Sequence, residues 1–72
     1  MSGQHGEVLA RHLQQAGVSD PRLAGMARRE FLDAIRQRQP SLLGVEREAR
    51  RVVRQVVALG EREAKLAKRF TR

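Results

Sequence analysis

Cysteine is absent from the chain, which excludes disulfide staples and thiolate metal sites. Tryptophan and tyrosine are absent as well, and Phe31 and Phe70 are the whole aromatic complement. That scarcity argues against recognition of single strands by base stacking. Proline occurs only at Pro21 and Pro40, so few interruptions are forced on the backbone. No apolar run approaches the roughly 20 residues that a bilayer-spanning helix needs. The opening MSGQHGEV has neither a basic segment nor an apolar stretch after it, so no secretory leader is expected and the cytoplasm is the default location.

What remains is mostly Leu, Val, Ala and charge, a mixture that suits packed helices better than a sheet. The 72 residues allow one small domain, expected to be all-α. A core of this size is marginal without staples, metal or a partner subunit. Self-association is therefore the expected source of additional burial, and no cofactor is called for.

In chain order, residues 1–4 are polar and expected to fray. Val8, Leu9, Leu13 and Ala16 then mark a short amphipathic helix over about 4–16, closed by Gly17. Ser19 or Asp20 can cap a second helix over about 21–38, with Pro21 in its first turn. Its apolar stripe is Leu23, Met26, Ala27, Phe31, Ala34 and Ile35. Gly25, costly inside a helix by roughly 1 kcal/mol, suggests close approach by a neighbour. Pro40 ends this helix and predicts a tight corner over Gln39–Ser41.

The stretch from Ser41 to the C-terminus dominates the rest. On a helix over about 42–70, Arg47, Arg50, Arg51, Arg54, Arg62, Lys65, Lys68, Arg69 and Arg72 fall within about 60° of one line. Val45, Ala49, Val52, Val53, Val56, Leu59, Leu66, Ala67 and Phe70 follow the opposite line. Ser41 is a plausible cap, although Gly44 could delay the true start. Acids early and bases late suit the helix dipole, and Glu46 with Arg50 and Glu61 with Lys65 stand at i, i+4 spacing. Such a helix would be about 43 Å long against about 27 Å for its predecessor. Either it breaks at Gly60 into a fourth helix, or its end projects and pairs with another subunit. Val52, Val56, Leu59, Leu66 and Phe70 have the spacing of a partner-facing line, and equally that of a helix packing on its own bundle. Glu63 interrupts that line, so exposure or pairing with an arginine of another helix or subunit is expected.

Two motifs invite sharper readings. Val8 to Arg29, VLARHLQQAGVSDPRLAGMARR, has the helix, glycine turn and second helix of a helix-turn-helix. Leu13 stands where a small residue is usual and Pro21 where a reading helix would meet DNA, so an ordinary helical corner is expected. His5 and His12 lack a third ligand for a metal site and are expected to be solvated or capping. No nucleophile, base and orienting acid form a catalytic arrangement, and an enzyme is not expected.

Charge carries the functional signal. Fifteen Lys and Arg face eight Asp and Glu, a formal +7. Residues 1–45 hold six bases against four acids, residues 46–72 nine against four. A one-sided positive field attracts polyanions. The sequence thus predicts a small regulatory protein binding duplex nucleic acid, DNA in the first place, with Arg47, Arg50, Arg51, Arg54, Arg62, Lys65, Lys68 and Arg69 on phosphates. The alternative is a protein–protein adaptor or inhibitor whose long helix docks on an acidic or grooved partner such as a transcription component. Lying on an anionic membrane is disfavoured, because the apolar line is mostly Val and Ala without a Trp anchor.

Overall fold

The computed structural model describes residues 3–70, with side chains from 5 to 69. Fraying was expected over residues 1–4, but Gly3 and Gln4 already belong to the first helix; Met1, Ser2 and Arg72 of the cationic line lie outside the described residues, as does the side chain of Phe70. The described residues form helices and no strand, as the composition implies: α1 spans Gly3–Gln15, α2 Pro21–Arg38 and α3 Leu42–Phe70. Contacts run from Arg38–Glu48 at one end of α2 to Arg22–Glu63 at the other, so α2 is antiparallel to α3. Arg11 and His12 of α1 meet Glu46, near the start of α3. Both α1 and α2 pack chiefly on α3 and only lightly on each other.

Local chemistry places the boundaries. Gly17 takes φ +74° after α1, the left-handed conformation that glycine tolerates. Asp20 caps α2 by accepting the Arg22 N–H at 2.9 Å, with Pro21 at the first helical position. Gln39 closes α2 in the left-handed region at φ 45°, its N–H donating to Ile35 O at 2.8 Å. Ser41 Oγ accepts a long hydrogen bond from the Gly44 N–H at 3.4 Å. Gly44 therefore does not delay α3: it belongs to the first turn, seated on the Pro40 ring, where an added Cβ would lie 2.6 Å from Pro40 Cβ.

The core gathers Leu9 and Leu13 of α1, Leu23, Ala27 and Phe31 of α2, and Val45, Ala49, Val52, Val53 and Val56 of α3. Phe31 is fully enclosed, as expected for its bulkiest member. Of the predicted stripes, Ala16, Met26, Leu66 and Ala67 are exposed, and Ala34 is half-buried but outside the core. Met26 is exposed because it stands about 100° around α2 from Ala27, the centre of the contact line. Ala16 is exposed beyond the end of α1.

α3 is one helix of 29 residues, so Gly60 does not break it into a fourth. The glycine serves close approach instead: a Cβ there would fall 2.9 Å from Leu23 Cδ1, and helix formers on both sides keep the backbone ladder intact. Gly25, expected to do this, has nothing within 4 Å. Because α2 covers α3 only as far as Glu63, residues 64–69 are exposed all round and extend the molecule to 48 Å along its longest axis.

These environments give glycine substitutions opposite signs. Gly25→Ala, in open helix interior, is expected to stabilise by up to about 1 kcal/mol, raising the melting temperature by about 4–8 °C for a domain this small. Gly44→Ala is expected to lower it, since the propensity gain is outweighed by overpacking of about 1–3 kcal/mol against a rigid ring. Thermal melts followed by circular dichroism check both.

Candidate polyanion-binding face of α3

Three of the four acids of α3, Glu46, Glu48 and Glu63, take partners from the other helices, and Glu48 takes Arg51 of α3 as well. Glu46 accepts from His12 Nε2 at 2.8 Å and Arg11 Nη2 at 3.0 Å. Those contacts, led by the His12 hydrogen bond, hold its carboxyl below the ordinary value of 4.5. Glu48 is the one charged residue of the described chain that is buried, at 8% exposure. It accepts from Arg51 Nη2 at 2.7 Å and Nε at 3.2 Å, and from Arg38 Nη1 of α2 at 3.3 Å. The Arg51 guanidinium outweighs the cost of burial, so its carboxyl too sits below 4.5. Glu63 takes both ends of the Arg22 guanidinium, one of them at 3.1 Å, which again lowers its carboxyl. Among the outcomes expected for Glu63, pairing across helices is the one found, with the carboxylate side chain still 39% exposed.

Three of the four acids of residues 46–72 are thus engaged with α1 or α2, and cations are left on the outside. Arg47, Arg50, Arg54, Arg62, Lys65, Lys68 and Arg69 are exposed and form no ion pair among the described residues. Arg51 is the exception within the expected set: its pairing with Glu48 draws its head toward α2. Arg47, Arg50, Arg51 and Arg54, with Gln55 and Ala58, line a shallow open depression on the outer face. Ala58 and Glu61 separate this cluster from a second one on the projecting end, Arg62 to Arg69. The exposed face of α2 differs in kind, since Arg29 and Arg36 share a depression there with Glu30 and Asp33.

The apolar line expected to meet a partner lies largely inside the chain itself. Val52 and Val56 are buried in the core and Leu59 packs against it, because α1 and α2 cover this part of α3. Leu66 alone of the described members is left open, at 47% exposure. His12, expected to be solvated or capping, is instead an interhelical partner of Glu46, its side chain 16% exposed. Sequence reasoning missed the pairings of Glu46 and Glu48. Both residues stand roughly 80–100° from the apolar centre of α3, at the two edges where neighbouring helices arrive, and that position was the available signal.

Comparison with known proteins finds no matching family model, no similar curated protein and no similar solved structure. No helix of the described residues is long and apolar enough to cross a membrane.

The three depressed carboxyls make stability acid-sensitive in a definite direction. Each binds its proton less readily folded than unfolded, so its contribution is complete above about pH 4.5 and is lost as pH falls through the lowered folded values. Urea midpoints are expected to stay level from neutrality to about pH 5 and to drop below that. Glu48→Gln is expected to cost about 1–2 kcal/mol at neutral pH, and to reduce the loss on acidification. An unchanged acid profile in this variant would contradict the role given to Glu48.

Proposed function

We propose that this chain is a small basic regulatory protein that binds duplex nucleic acid, DNA in the first place, through phosphate contacts along the outer face of α3. The observation that carries the proposal is the separation of charge across this helix. Glu46 and Glu63 are consumed by neighbouring helices and Glu48 by Arg51 and Arg38, and seven cations face solvent without ion-pair partners among the described residues. Arg47, Arg50 and Arg54 sit where α3 is braced by the core, and Arg62, Lys65, Lys68 and Arg69 on the stretch that projects beyond it. Rigid display over about 33 Å of helix, from Arg47 to Arg69, lets one element reach several phosphates at once. Each contact releases counterions, so affinity depends steeply on salt and little on base sequence.

Fluorescence anisotropy with a labelled duplex of about 24 base pairs tests this, longer than the roughly 10 pairs that the face spans at about 3.4 Å per pair. Saturable binding is expected at micromolar protein in about 50 mM salt, weakening by about 10³-fold toward 200 mM if six or more phosphates are neutralised. Lys65→Glu with Arg69→Glu is expected to weaken binding and flatten the salt slope by about 2, whereas Arg36→Glu on α2 has a much smaller effect. Absence of binding at micromolar protein in about 50 mM salt would overturn the proposal.

A further inference from the structure

The two most exposed large apolar side chains of the described residues are neighbours. Leu42 is 77% and Leu43 63% exposed, and neither belongs to the core or packs against it. They stand on a well-fixed corner. The left-handed Gln39 closes α2, Pro40 rests on Gly44, and Ser41 caps the first turn of α3. From Leu43, steps of four and three lead along one face to Arg47 and Arg50, both exposed. The nearest acid of α3, Glu46, is occupied by Arg11 and His12.

We propose that this corner is a docking surface for an acidic amphipathic segment of a partner protein. Apolar side chains of the segment cover Leu42 and Leu43, and its carboxylates meet Arg47 and Arg50. Charge complementarity selects this occupant. A duplex supplies phosphates for the arginines but no apolar surface to cover the leucines. A second copy of this chain brings the same two arginines against themselves. A bilayer accepts leucines, but two of them at one corner fall well short of the long apolar face by which interfacial helices bind. The corner lies about 33 Å along α3 from Lys65, so the projecting cations stay open while it is occupied, and docking there does not require that duplex binding occur.

Isothermal titration with a synthetic helical peptide of about 20 residues tests the surface. The peptide carries Leu and Phe at i, i+3, i+4 and i+7 with Glu beside them, the pattern of a helix laid on a partner. A scrambled peptide of identical composition, phosphatidylcholine–phosphatidylserine vesicles and sedimentation of the protein alone serve as comparisons. Saturable one-to-one binding of the patterned peptide is expected, weakened about tenfold or more by Leu42→Ser with Leu43→Ser, and also by Arg47→Gln with Arg50→Gln. Because both leucines are exposed, the serine variant is expected to keep the wild-type melting temperature and duplex affinity. The proposal is overturned by equal binding of the scrambled peptide, by a serine variant that binds as wild type, or by no saturable binding at about 100 μM peptide. Leucine-dependent vesicle binding or self-association without peptide binding would likewise replace this occupant by another.

Discussion

Everything in this small protein depends on α3 being buried along one side only. The other two helices make their main contacts with it, and half of the core residues are its own Val45, Ala49, Val52, Val53 and Val56. Without disulfides to help, the hydrophobic burial that holds the fold is concentrated on that line. The opposite side is excluded from packing and is therefore free to carry charge. Folding and display of the cations are two faces of the same constraint.

The acids refine this division. Glu46 fixes the edge of α3 that meets α1, and Glu48 and Glu63 tie α3 to α2 at points fifteen residues apart. Such pairs contribute modestly to stability where solvent reaches them, but they set the register in which an antiparallel helix can lie. Their second effect is electrostatic. Every carboxylate spent on a neighbouring helix leaves an outward cation uncompensated, and the field of α3 becomes predominantly positive, Glu61 being its exposed acid, where that of α2 stays mixed.

Most of the architecture was legible in the sequence because its punctuation is local. Gly17, Asp20, Pro21 and Pro40 act through backbone geometry that needs no knowledge of the fold, and helical periodicity picked out most of the core. The errors arise where the answer belongs to another element. An amphipathic line does not say whether the covering surface is the same chain or a second one, so Val52 and Val56 read equally well as core and as partner-facing. Gly60 leaves a break and a continuous helix both open until Leu23 is seen to press on it. Arg51 lies on the cationic line, yet Glu48 one turn away claims it. Leu43 was the signal left unused: it falls on the cationic side of α3, where a large apolar residue has no place in a purely electrostatic face.

The outer face of α3 as the site of polyanion contact is tested most directly by nuclear magnetic resonance mapping of a duplex titration. Shift changes are predicted to follow Arg47, Arg50, Arg54, Arg62, Lys65 and Arg69, with the core-facing valines little affected. The equally exposed Arg28, Arg29 and Arg36 of α2 serve as the internal reference. Changes centred on those three, or spread evenly over all exposed arginines, would contradict the account.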